Sequence, residues 1–417
     1  MEYTKLQSYN KRVAKKEEKH MGKRWAIVSI ASIPLVMTLG NSMLIPVLPT
    51  FEKEMNITSF QSSMVITVYS IVAIFLIPLA GYLSDQIGRK KVIIPSLIIA
   101  GIGGLLAGWA SWMLEEAYWI VLIGRVLQGV GAAGASPIVL PLVGDLFKNE
   151  EDVSSSLGII ETSNTFGKVL SPILGALLAG FVWFLPFFAF PVFCFISILL
   201  MTFLVKTPKK KEIEAVPFHQ FFKSIKLIFK EKGRWIYAIF IIGGILMYVL
   251  FGVLFYLSSM LEDNYGIIGI KKGFVLAVPL AALCASSFIT GKKINKNKIL
   301  MKRIIFFGLV LLALSVFVIS FSKNIWYLLT VFLFCGIGIG VSLPCLDALL
   351  TEGIEKEQRG TITSIYSSMR FVGVALGPPL FAILLETSHL IMFYSTTAIC
   401  IIASVIALFA IKPTQTE

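Results

Sequence analysis

Five charged side chains interrupt the long apolar stretches of this sequence: Arg125, Glu161, Lys168, Asp347 and Arg370. A charge at mid-depth in a membrane costs about 3 kcal/mol on insertion scales, so each must face a partner or a wet cavity. Asp347 with Arg370, and Glu161 with Lys168 or Arg125, are the least costly pairings. The chemistry open to such a set is ion pairing, anion binding and proton uptake by a carboxylate. His20, His219 and His389 fall in tails, loops or a span end. Proton traffic through the apolar region must therefore use Glu161, Asp347 or water. The five cysteines lie in apolar stretches without metal-ligand spacing and read as small core residues. Neither a metal nor a cofactor is expected, and no His, Asp and Ser cluster at one membrane face argues for an enzyme.

Glu161, Asn164, Thr165, Lys168, Ser171 and Gly175 share one side of a helix at 100° per residue, within an arc of about 120°. Glu161 and Lys168 stand seven positions apart, about two turns, so water or a solute bridges them more readily than direct contact. Asn41, Gln128, Asn164 and Tyr366 are the uncharged polar side chains expected to line the same cavity. With three buried cations against two acids, that cavity should tolerate anions.

The elements that hold these residues follow from composition. Of 417 residues, 56% are hydrophobic and 15% charged, with a mean hydropathy of +0.84. Such a chain needs lipid as solvent. Apolar runs near 25–48, 61–83, 92–113, 117–144, 155–179, 186–205, 235–258, 272–290, 304–322, 325–350, 361–385 and 389–411 are each long enough to cross a bilayer as a helix. The expected class is an all-α membrane protein of twelve transmembrane helices. The first run follows a charged tail and carries no cleavage pattern, so it reads as a retained helix.

All 37 Lys and Arg except Lys53, Lys271, Lys272, Lys323 and the three buried cations fall at one face. Short cytoplasmic loops carry such an excess, which places both termini in the cytoplasm of a plasma-membrane protein. The net charge of +13 is thereby a matter of topology, with no call for nucleic acid. The chain divides into a basic tail (1–24), a six-helix unit (25–205), a linker (206–234), a second six-helix unit (235–411) and a short tail (412–417). In the linker, Phe218, Phe221, Phe222, Ile225 and Phe229 recur at helical spacing opposite Lys223, Lys226 and Lys230. That pattern suits an amphipathic helix on an anionic leaflet, and equally a solvated tether.

An internal repeat joins the two units. Gly129, Gly131 and Pro137 recur as Gly336, Gly338 and Pro344 at an offset of 207 residues, and Gly167, Ser171 and Pro172 recur as Gly373, Gly377 and Pro378 at 206. These small and Pro positions of spans five and eleven, with Gly175, are expected to bring helices close.

The turn Gly81-Tyr-Leu83-Ser-Asp85-Gln-Ile-Gly88-Arg89-Lys90-Lys91 resembles the signature G-x-L-x-D-x-x-G-R-[KR]-[KR] of the major facilitator superfamily. The resemblance implies two pseudo-symmetric six-helix bundles. It also implies a conformational latch made of Gly81, Asp85, Gly88, Arg89 and Lys90, in which Asp85 meets the start of span eleven near Gly360–Thr361 and Arg89 meets Asp145. Leu39-Gly40 with Pro46 and Pro49, and Arg125 with Gln128-Gly129, Gly131-Ala132-Ala133, are similar to strings of the twelve-span drug/proton antiporters of that superfamily. In span five, Ser171 and Ala176 replace two glycines of the antiporter pattern. The group implies export of drugs or metabolites by proton antiport, with Arg125 tuning a neighbouring carboxylate or ordering water, and a protein working as a monomer. The span-one string is also similar to that of Gram-positive exporters of catecholate siderophores, and a lipid flippase shares the fold. The partners implied are a small-molecule substrate, protons and the lipid bilayer.

Overall fold

A computed structural model describes residues 23–147, 150–205, 229, 233–294, 297–354 and 356–411. The basic tail before Lys23, nearly all of the linker with its amphipathic pattern, and residues 412–417 lie outside the described residues. Twelve long helices and no strand form the described fold: α1 (Lys23–Glu54), α2 (Ser59–Ile87), α3 (Arg89–Met113), α4 (Tyr118–Leu146), α5 (Glu150–Phe181), α6 (Leu185–Leu204), α7 (Arg234–Asp263), α8 (Gly269–Lys293), α9 (Lys298–Val318), α10 (Ile325–Glu352), α11 (Lys356–Thr387) and α12 (His389–Ala410). Eleven are long and apolar enough to cross a membrane, so the protein is a multi-pass membrane protein. The exception is α5, which is long enough but carries the polar stripe.

Local chemistry sets the helix ends. Thr58 caps α2 reciprocally with Gln61, hydroxyl to backbone N–H at 3.2 Å and amide oxygen to backbone N–H at 2.9 Å. Asn297 and Asn324 cap α9 and α10 from one side only, their side-chain oxygens accepting from the first-turn backbone N–H groups. Gly88 joins α2 to α3 at φ +104°, a conformation a side chain would strain. Pro46 and Pro49 interrupt α1 with a 3-10 turn at Ile45–Val47 before its last stretch, Leu48–Glu54.

Packing repeats across the two halves. In the first, α3 packs on α4 and α6, and α2 on α4; in the second, α9 packs on α10 and α12, and α8 on α10. Contacts between the halves run along α2 with α11 and α5 with α8, the two pairs that a pseudo-twofold axis would exchange. The repeated glycines mark these crossings. A Cβ at Gly129 would strike the Tyr69 carbonyl of α2, and one at Gly336 the Pro279 carbonyl of α8. Gly175 lies against the Met43 carbonyl of α1, and Gly373 against the Gly244 carbonyl of α7. Without a hydrophobic drive between helices in lipid, such backbone approach is what dispersion attraction requires.

Candidate functional site

A cavity of about 180 Å³ opens where α1, α2, α4, α5, α7 and α11 meet. Glu161, Asn164 and Lys168 of α5 face Ser367, Arg370 and Val374 of α11 across it. Asn41, Tyr69, Leu140, Met247, Phe251 and Phe371 complete much of the wall. At offsets of 206, Glu161 corresponds to Ser367, Asn164 to Arg370 and Lys168 to Val374. The repeat thus supplies both sides of the cavity from equivalent positions, with different chemistry on each.

The charges are held in three ways. Arg370 pairs with Asp347 of α10 at 3.7 Å and lies 5.7 Å from the ring centre of Tyr366. The Glu161 carboxylate has one hydrogen-bond partner among the described residues, the Asn164 amide at 3.4 Å, and Asn164 in turn accepts from the Thr38 hydroxyl at 2.6 Å. Lys168 is 9% exposed and has neither an ion pair nor a hydrogen bond among the described residues.

Arg125 departs from expectation. It is fully buried and meets no carboxylate among the described residues; its donors go to the Val65 carbonyl (2.6 Å), the Gly40 carbonyl (3.2 Å), the Asn41 amide oxygen (2.6 Å) and the Gln128 amide oxygen. The Tyr69 ring lies 4.5 Å beneath its guanidinium. The pairing of Glu161 with Arg125, and a carboxylate beside Arg125 for it to tune, are therefore corrected. Carbonyl and amide oxygens accept four hydrogen bonds from the rigid guanidinium without the desolvation of a second charge.

Two polar residues sit elsewhere than expected. Gln128 is spent on Arg125, and Tyr366 packs against Gly243 and Phe240 beneath Arg370. Neither lines the cavity; Asn41 and Asn164 do. The α5 stripe is also divided. Thr165 and Ser171 turn their hydroxyls onto their own helix, donating to the Glu161 carbonyl (2.7 Å) and the Gly167 carbonyl (2.6 Å), while Gly167 backs onto Leu35 and Thr38 of α1. In the second half Gly377 backs onto the Tyr248 carbonyl beside the tandem Pro378-Pro379 of α11.

The turn between α2 and α3 ties three helix ends together. Arg89 reaches Asp145 at the end of α4 (3.1 Å), the Ser84 hydroxyl (2.7 Å) and Asp85. Lys90 donates to the Thr202 and Val205 carbonyls at the end of α6 (2.9 and 2.8 Å), where a cation suits the helix terminus. Gly81 backs onto Ser364 of α11. Among the described residues the ionic partner of Asp85 is Arg89 and not the start of α11.

One charged cluster escaped the sequence. At the face opposite the basic loops, Glu262 of α7 accepts from Lys272 of α8 (2.9 Å), which is 2% exposed, and from the exposed Lys53 of α1 (2.6 Å). Nearby, the Ser258 hydroxyl of α7 donates to the Ile45 carbonyl of α1 at 2.9 Å. The two halves are joined at this end by an ion triad. The available signal was that Lys53 and Lys272 are two of only four cations on that face.

Comparison with known proteins places this geometry. The profile of the Major Facilitator Superfamily matches residues 30–378 and again 298–417. The bacillibactin exporter of Bacillus subtilis is 55% identical over 94% of this chain and 97% of its own length. Multidrug resistance protein 2 of the same organism is 27% identical over 86% and 88%. Among solved structures, a human organic anion transporter superposes with a TM-score of 0.71 at 17% identity, covering 92% of this chain and 99% of that one. A D-xylose-proton symporter gives 0.73 at 13% identity, covering 93% and 98%. The two structures speak for the fold alone.

Proposed function

Because the chain belongs to the major facilitator superfamily, we propose that it is a secondary active exporter that moves an acidic small molecule out across the plasma membrane in exchange for protons. The observation that carries this reading is Lys168, a buried cation on the cavity wall that makes no direct ion pair or hydrogen bond among the described residues, with the carboxylates Glu161 and Asp347 acting on it only from a distance. A buried unpaired charge is costly, and an anionic substrate supplies the missing partner. The relative named for bacillibactin export shares twice the identity of those named for multidrug resistance. A dedicated exporter of a catecholate siderophore, or of a comparable acidic metabolite, is accordingly favoured. Broad drug export is the second reading, supported by the apolar wall of Met37, Met247, Phe251 and Phe371.

The basic face is cytoplasmic by the positive-inside rule, with both chain ends on that side. The units 25–205 and 235–411 rock about the cavity, exposing it to each side in turn. Protons taken up by Glu161 or Asp347 release the substrate or permit the swing. The ion triad of Lys53, Glu262 and Lys272 holds the outer end closed, and the turn from Gly81 to Lys90 with Asp145 holds the inner ends of α2, α4 and α6 together. A single chain contains every part of this cycle.

Metabolite profiling of the growth medium of a deletion strain tests the substrate, and uptake into everted vesicles under an imposed pH gradient tests the coupling. One acidic metabolite should vanish from the medium and should enter vesicles only with the gradient present. An unchanged medium together with gradient-independent vesicles would rule the reading out.

A further inference from the structure

Asn41 stands on the cavity wall, 5% exposed, and its side-chain oxygen accepts from Arg125 Nη2 at 2.6 Å. A guanidinium has no acceptor, so the amide can meet Arg125 only through its oxygen, which turns its NH₂ group away from Arg125. That NH₂ group has no hydrogen-bond partner among the described residues. Arg125 cannot swing to release it. Its Nε is fixed by the Val65 carbonyl at 2.6 Å and its Nη1 by the Gly40 carbonyl at 3.2 Å and by Gln128. The guanidinium is a rigid mount for one amide.

Lys168 lines the same cavity, 9% exposed and equally without an acceptor among the described residues. Neither nitrogen is sealed inside the protein; both open onto the cavity, where acceptor oxygens from outside the protein can meet them, and a donor left unmet costs about 1–3 kcal/mol.

We propose that Arg125 is a positioning residue that locks Asn41 as a hydrogen-bond donor, and that Asn41 and Lys168 together receive a ligand group bearing two adjacent acceptor oxygens. A carboxylate, a phosphate or an ortho-dihydroxyaryl group has that chemistry. This deepens the reading of the cavity as the transport site and rests on it. It gives the buried arginine a part in substrate choice in place of one in proton transfer.

The test uses the full-length protein in nanodiscs and everted vesicles, with labelled 2,3-dihydroxybenzoate as the probe. Asn41→Asp keeps the size of the side chain and replaces the donor with an acceptor. It should raise KM about tenfold, the loss of one hydrogen bond, with the maximal rate within about twofold. Arg125→Lys should raise KM alike, and the double variant should be no worse than either single one. Where Arg125→Lys fails to fold, Asn41→Leu, which removes the donor without adding charge, should repeat the KM rise. An unchanged KM in the Asn41 variants, or a lost maximal rate at constant KM, overturns the clamp alone. A wild-type protein that binds neither the probe nor benzoate nor inorganic phosphate overturns the transport-site reading and the clamp with it.

Discussion

The two halves carry the same scaffold and opposite solutions for an arginine inside a spanning helix. In the first half Arg125 is fully buried and answered by neutral oxygens from α1, α2 and its own α4. In the second, Arg370 lies at the cavity and is answered by a carboxylate, Asp347. Neither position repeats the other: Arg125 corresponds to Phe332 and Arg370 to Asn164. What the repeat preserves is backbone contact, at glycines where a Cβ would strike a carbonyl. What it lets diverge is the cavity lining, because a side chain facing water or ligand carries little of the helix packing. Scaffold arginine and cavity arginine should therefore fail differently when removed.

The largest effect is expected at Arg125. Arg125→Ala leaves several buried acceptors without a donor and should cost about 3 kcal/mol or more, read as a lowered unfolding temperature in detergent and a loss of protein from the membrane. Arg370→Ala, whose partner Asp347 keeps a partly exposed side chain, should retain most of the stability and lose transport. Equal destabilisation in the two variants would erase the distinction. Next in size, Asp347→Asn and Glu161→Gln should insert normally while losing about 5- to 150-fold of the pH-gradient-driven flux, the range of an ordinary coupling energy. Full gradient-driven flux in both would remove these carboxylates from coupling.

A third variant sharpens the comparison by moving a charge across the repeat. Glu161→Ser combined with Ser367→Glu places the carboxylate at the equivalent position of α11, and should recover part of the flux that Glu161→Ser alone loses. No recovery would mean that the two walls of the cavity are not interchangeable for proton uptake. The smallest effect is expected at the opposite face. Lys53 is 65% exposed, and an exposed pair is worth about 0–1 kcal/mol, so Lys53→Gln should shift the balance of open and closed states only slightly. Cross-linking between α1 and α7 measures it, and the shift should shrink as salt is added.

Much of this was legible in the amino-acid order. Span count, the repeat at 206 and 207 residues, and the need for partners at five charges all follow from the cost of polar groups in lipid. So does the turn at Gly88, since few other residues accept its backbone angle. The pairing of Arg370 with Asp347 could be chosen because opposite charges at similar depth on neighbouring helices are few. Helix rotation and depth were not legible. Gln128 and Tyr366 differ from Asn41 and Asn164 only in which way a helix faces, and that is set by the sum of contacts along its length. Arg125 found carbonyl oxygens because tertiary packing brings the backbones of α1 and α2 to it, and backbone acceptors leave no mark in a sequence. The ion triad likewise joins residues more than 200 positions apart, where no local pattern links Lys53 to Glu262. Sequence determined that charges must be answered; only the folded arrangement of helices decided by what.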